Sequence, residues 1–338
     1  MSFRKVFGFG IPFALVAFAA PVAAQDTQRF ASFLPAALPQ TQVDQWFADE
    51  VSKRSGGKLK VQVFAGGALG KPTELLKLVS EGGVQMATTS PAYFPSQLPL
   101  LAATNSLPLV FTDAAQAQRV IPALYADTPA LQAELKVLGV RPVPGFWHTV
   151  DPYFMVCRTP IRTLADMKGK KVRSYGDDVP KMLQAIGAVP VNLLPGDLYE
   201  SLQKGTVDCA PYSLGTAVSL KLHEVAKYVT FMNIGSPGGW PIFINEKAWD
   251  GLSADNKKLL TEVATAANKV ELDKFAEGDT EARKVMKAAG VEFIEFPDQK
   301  KFEAAAPDFL ADWVARMDKA GKGPEATKMA QRWKELSK

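Results

Sequence analysis

The chain reads as an α/β protein of two lobes, and three observations predict it. Strand-like and helix-like patterns alternate through the first half. The 338 residues, even without an N-terminal leader, exceed what one core usually holds. A charged, proline-free stretch from Ser253 to about Ala289 is long enough to run across both lobes.

The leader comes first. Arg4 and Lys5 precede the apolar run Val6 to Ala20, and Val22-Ala-Ala24 puts small residues where a signal peptidase reads. The pattern predicts a secretory signal peptide over residues 1–24, cleaved after about Ala24, and a chain exported to the periplasm. Gly8, Gly10, Pro12 and Pro21 break the run, which argues against a membrane anchor.

Beyond it, Thr41 to Arg54 carries Val43, Trp46, Phe47 and Val51 at helical spacing, and Gly56-Gly57 ends the pattern. Lys58 to Phe64 then alternates polar and apolar as a strand does. Pro72 to Glu81 predicts a short helix closed by Gly82-Gly83, followed by a strand over Val84 to Thr88. Such alternation belongs to open sheets, where ligands lodge at the C-terminal ends of strands. Ala65 to Thr73 imitates a phosphate-binding loop. However, Ala65 stands where its first glycine belongs and Pro72 where a hydroxyl would hold magnesium, so no nucleotide cofactor is expected.

Arg173 closes a short apolar strand after Asp166-Met-Lys-Gly-Lys-Lys-Val. A helix over Asp197 to Lys204, stopped by Gly205, feeds the next strand. An arginine at a strand end presents a planar, two-pronged donor suited to a carboxylate, so Arg173 is the expected centre of function. In the last third Leu259, Val263, Ala266 and Val270 fall at helical spacing. One long helix, or two broken near Gly278, satisfies that pattern.

Composition excludes several classes. Without Arg4 and Lys5 the 39 basic residues fall to 37 against 35 acidic ones, too balanced for nucleic acid or an anionic membrane as partner. Cys157 and Cys209 lie in apolar segments and fit either a disulfide or two buried thiols. The two histidines, His148 and His223, have no clustered ligand or nucleophile in sequence, which speaks against a metal site or hydrolytic catalysis. His223 falls on a solvated helical pattern, and His148 lies near an expected crossing between lobes.

These segments together resemble the solute-binding proteins of tripartite ATP-independent periplasmic (TRAP) transporters. The residues that carry the resemblance span nearly all of the mature chain. They include Val63-Phe-Ala-Gly-Gly-Ala-Leu-Gly70, Met86-Ala-Thr-Thr-Ser-Pro-Ala-Tyr93, Leu107-Pro-Leu-Val-Phe111, Leu164 to Arg173, Gly187-Ala-Val-Pro190, Leu198 to Asp208 and Asn245-Glu-Lys-Ala-Trp249. The resemblance implies a periplasmic binding protein fold with a hinge and a long lobe-crossing C-terminal helix. It also implies an organic-acid ligand paired with Arg173, delivery to TRAP membrane permease subunits, and a monomeric receptor rather than an enzyme. Lobe I is expected to hold residues 25–150 and about 238–277, and lobe II residues 151–237 and about 278–338.

Departures from the family pattern bear on the ligand. Tyr212 occupies a slot where many members carry a ligand-binding asparagine, and Tyr153 stands where sialic-acid binders carry a second arginine. Tyr93 and Phe33 fall where some relatives place polar contacts. Trp240 and Trp147 are further aromatic candidates. The shift from paired cations to aromatic surface predicts an apolar or aromatic monocarboxylate, since a second buried carboxylate would lack a partner. An exported enzyme acting on a carboxylated substrate, or a receptor feeding a sensor kinase, are the alternative functions.

Overall fold

The computed structural model describes Met1 and residues 26–338. The expected leader, with its cleavage point, lies outside the described residues. Two sheets organise the rest.

The first sheet contains β1 (Asp26–Ser32), β2 (Leu59–Phe64), β3 (Met86–Thr88), β4 (Val140–Thr149) and β10 (Gly239–Asn245), in the order β2-β1-β3-β10-β4. Its first three strands are parallel, and β10 runs antiparallel to both β3 and β4. The second contains β5 (Phe154–Cys157), β6 (Lys171–Ser174), β7 (Val189–Asn192), β8 (Cys209–Tyr212), β9 (Tyr228–Thr230) and β11 (Glu292–Ile294), in the order β11-β9-β5-β8-β6-β7. The chain therefore leaves the first sheet after β4, builds most of the second, and returns through β10. Mixed sheets covered by helices make this the two-lobed α/β fold that the sequence predicts.

Local rules explain most elements. The helix Pro39–Arg54 buries Val43, Phe47 and Val51 as the spacing requires, against the sheet face that carries Phe30 and Leu59. The helix Leu198–Lys204 ends at Gly205, whose φ of 73° is the left-handed cap that only glycine adopts cheaply. The second predicted helix is shorter than expected, Leu75–Ser80 rather than Pro72 to Glu81.

Cys157 and Cys209 face each other across β5 and β8 and are joined as a disulfide, which resolves the two sequence alternatives. Both sulfur-bearing residues are fully buried.

The long helix is one element, Ala254–Ala288, continuous through Gly278, with Ser253 capping its start. Its buried stripe overlaps the expected one: Val263 is buried, and Leu259 and Val270 pack partly buried against the same core. Leu260, Val263, Ala264, Ala267 and Glu271 are buried, while Ala266 is exposed. Hydropathy assigns a glutamate to solvent, but Glu271 is buried here and bonds His148 and Thr149 of the first lobe. Further along, Gly278 lies against Gly215, and Arg283 sits over the Phe231 ring, so the same helix touches both lobes.

The C-terminal helices correct the expected lobe assignment. Phe309–Lys319 bridges the lobes, with Trp313 donating to the Pro99 carbonyl and Arg316 paired with Asp178. Gly323–Leu336 lies on the first lobe instead of the second: Trp333 stacks on Phe111 at 4.9 Å and Arg332 pairs with Asp127 at 2.8 Å. Burial of this amphipathic face needs an apolar partner, and the helix Ala114–Asp127 with Phe111 supplies it.

Candidate functional site

Three connections cross between the sheets: residues 150–153 between β4 and β5, residues 231–238 between β9 and β10, and the long helix. The first two are laced together. Tyr153 N–H donates to Gly235 O at 3.0 Å, and the Ser236 hydroxyl donates to Val150 O at 2.5 Å. Gly238 passes so close to the neighbouring chain that a Cβ there would sit 1.9 Å from Thr104 O, at a φ of 76° that already favours glycine.

Beside these crossings the lobes enclose a cavity of about 50 Å³. Arg173 reaches it from the C-terminal end of β6. The residue is only 3% exposed, and none of the ion pairs among the described residues includes it. Its Nε donates to Leu193 O at 3.3 Å, and Nη1 is buried with no hydrogen-bond partner. The guanidinium carbon lies 4.3 Å from the Tyr175 ring centre and 5.1 Å from that of Tyr212. Aromatic faces thus stabilise the cation without neutralising it. A buried charge held this way is short of an anion.

Aromatic residues form the walls. Tyr153 and Tyr212 are buried with ring centres 5.1 Å apart. Phe33 lies 5.9 Å from Tyr93, edge to face, and 6.0 Å from Trp240. The Trp240 indole N–H is spent on the Thr88 hydroxyl at 2.7 Å, so this residue offers the cavity an apolar ring. Burial pushes the Tyr93 phenol up to about 12, partly offset by the Arg173 charge, and burial likewise raises Tyr153, Tyr175 and Tyr212. All four therefore stay protonated and able to donate at neutral pH.

Six of the seven expected residues line one cavity: Arg173, Tyr212, Tyr153, Trp240, Tyr93 and Phe33. Trp147 does not. It is buried against Tyr125, ring centres 5.5 Å apart, because alternation along β4 sends adjacent residues to opposite faces. His148 takes the other face and is fully buried between Asp44 and Glu271, behind the cavity rather than in it. His223 is half-buried instead of solvated.

Sequence reasoning missed Tyr175, Asn105 and Ser90. Tyr175 follows Arg173 by two residues, and that period alone would have put both on one face. Ser90 and Asn105 carried no such signal. The Ser90 hydroxyl donates to Asn105 Oδ1, and the Asn105 amide donates to Pro237 O at 3.0 Å, tying the polar side of the cavity to a crossing. Among the described residues no His, Cys, Asp and Glu cluster could hold a metal ion. The cavity can thus take up an anion and an apolar body, but it aligns no nucleophile with a base.

Comparison with known proteins shows the family and the fold. The DctP model, described as bacterial extracellular solute-binding protein, family 7, matches residues 30–316. The chain is 26% identical over 272 residues to the 2,3-diketo-L-gulonate-binding periplasmic protein YiaO of Escherichia coli K12, spanning 80% of this chain and 81% of that protein. It is 28% identical over 261 residues to the C4-dicarboxylate-binding periplasmic protein DctP of Rhodobacter capsulatus, spanning 75% and 76%. In structure it resembles a TRAP periplasmic solute-binding protein from Sulfitobacter sp. NAS-14.1 with bound β-D-galacturonate. That match has a TM-score of 0.78 and 21% identity, over 92% of this chain and 100% of the other.

Proposed function

We propose, from the premise that this chain belongs to the DctP family of bacterial extracellular solute-binding proteins, family 7, that it captures an apolar or aromatic monocarboxylate between its lobes and delivers it to a TRAP membrane permease. The observation that carries the reading is Arg173: a buried guanidinium with an unpartnered Nη1 and no carboxylate of its own protein.

A ligand carboxylate entering the open cleft meets Arg173 while water still screens the pair. Closure removes that water, the local dielectric falls, and the two-pronged pair strengthens. The ligand thereby binds the closed state better than the open one, and this difference in affinity shifts the hinge equilibrium. The crossings at residues 150–153 and 231–238 are where the chain bends. Phe33, Trp240, Tyr153 and Tyr212 give the ligand body an apolar bed. A single cation supports a single carboxylate, since a second would be buried unpaired. The relatives named above bind more polar acids, so the preference for an apolar body rests on this chain's own aromatic walls. Export through the 1–24 leader and action as a monomer belong to the same reading.

A thermal-shift screen of refolded, ligand-free mature protein tests it, with aromatic and aliphatic monocarboxylates, dicarboxylates and sugar acids. A ligand at about 100 times its Kd stabilises by about 2.7 kcal/mol. The largest shifts are expected from aromatic monocarboxylates. Shifts confined to dicarboxylates or uronates would discard the apolar pocket and keep the receptor.

A further inference from the structure

Behind the cavity, three charged residues from distant parts of the chain meet out of water. His148, on β4, is fully buried, with Nδ1 2.5 Å from Glu271 Oε1 and Nε2 2.8 Å from Asp44 Oδ1. Asp44 comes from the helix Pro39–Arg54 and Glu271 from the long helix, and their exposures are 0% and 1%. Carboxylates on both ring nitrogens match an imidazolium, which carries an N–H on each. The paired carboxylates outweigh burial and hold His148 charged up to about 10.

The second oxygen of Glu271 is also taken. Oε2 accepts from the Thr149 N–H and the Thr149 hydroxyl, both at 2.9 Å. Such a buried ionic cluster is seldom more stable than an apolar replacement, and Asp44 Oδ2 is left buried without a partner. Its geometry, however, ends on the binding cavity. The His148 ring sits 6.0 Å from Trp240, near edge to face. Thr149 O accepts from Gln40 at 3.0 Å, and Val150 O accepts from Ser236 of the other crossing. Trp240, Gln40 and Val150 all line the cavity.

We propose that Asp44, His148 and Glu271 are positioning residues for ligand capture: an ionic clamp that fixes the first lobe crossing and the Trp240 wall to the long helix. None of them touches the cavity. They act by holding the residues that do, and by giving the crossing a fixed root from which to bend. This goes beyond the receptor reading and holds whichever acid is bound.

Glu271→Gln tests it in the ligand-free mature chain. A Gln amide that keeps its oxygen on Thr149 turns its NH2 toward His148, so the His148 imidazolium loses both its charge partner and its acceptor there. Hydrogen–deuterium exchange should speed up at least about ten-fold at residues 147–151 and at Gly239 and Trp240. Strand β2 and the β6–β8 region should keep native rates. Acceleration spread through both sheets would mark a merely structural ion pair and overturn the proposal, as would native rates at the crossing. Should Glu271→Gln fail to fold, Thr149→Val removes one hydroxyl from the same carboxylate and is read identically, with a smaller rise expected.

Discussion

Replacing Arg173 by glutamine separates a ligand-binding cation from a structural one. In the ligand-free protein the guanidinium makes one hydrogen bond, to Leu193 O, and lies over two tyrosine rings. The hydrogen bond contributes about 1.5–3 kcal/mol as a charged donor, and each ring about 0.5–2 kcal/mol. Against this stands desolvation of a buried cation, still several kcal/mol after relaxation. The terms nearly cancel, so Arg173→Gln should change the ligand-free urea unfolding free energy by less than about 1 kcal/mol. Ligand binding should behave quite differently. Losing one partner of a buried, hydrogen-bonded charge pair costs about 2–5 kcal/mol, a roughly 30- to 5,000-fold rise in Kd. Calorimetric titration of the best acid from the thermal-shift panel, beside urea unfolding of both proteins, measures the two numbers. Unchanged affinity with a stability loss above about 2 kcal/mol would refute the reasoning and make Arg173 a structural cation.

Other consequences follow from single features. The disulfide closes a loop with a sequence separation of 52. By chain entropy that is worth about 4 kcal/mol, so Cys157→Ala with Cys209→Ala should lower the urea midpoint by about 1–2 M. A drop below about 0.3 M would show that the bond does not constrain the unfolded chain. Asp151 sits at the first crossing, where burial, followed by Asp279, Glu271 and Asp113, pushes its carboxyl up to about 7. The folded state then keeps a proton that the unfolded chain releases, so this group erodes stability as pH rises from about 4 to 7. Asp151→Asn should be more stable than the native chain at pH 8, by up to about 4 kcal/mol, and level with it near pH 4; equal unfolding curves at pH 8 would contradict this. Tyr212→Asn should lower the affinity ratio of phenylacetate to D-galacturonate about ten-fold or more in parallel titrations, and an unchanged ratio would remove Tyr212 from ligand selection. Gly238→Ala meets Thr104 O at 1.9 Å. It should cost roughly 3 kcal/mol or more in a thermal melt, and a native melting point would mean the crossing yields freely.

How much of this was legible depended on the range of each interaction. The strand that ends in Arg173 and the helix stopped by Gly205 obey rules confined to a few residues, and the structure keeps them. Tyr212, Tyr153, Tyr93 and Phe33 came from family slots and the two tryptophans from their aromatic character, and six of the seven expected site residues share one cavity. Trp147 failed because its face depends on the phase of β4, whose pairing with β10 shifts register between Pro241 and Phe243. Along the long helix Leu259, Val263 and Val270 pack on the core as their spacing predicts, whereas Ala266 is exposed and the buried Glu271 gives no hydropathy signal.

The sequence by itself determined the α/β class, the alternation that builds the first lobe, the strand-end arginine and the family. Each of these rests on local periodicity or on motif order along the chain. Only the tertiary structure decided that Cys157 faces Cys209, that the last helix packs on the first lobe, and that His148 is clamped between residues 104 and 123 positions away. It also left Arg173 without an anion of its own. The physical reason is common to all four: pairing, burial and desolvation belong to groups brought together by the fold, and their partners leave no mark at the neighbouring positions of the chain.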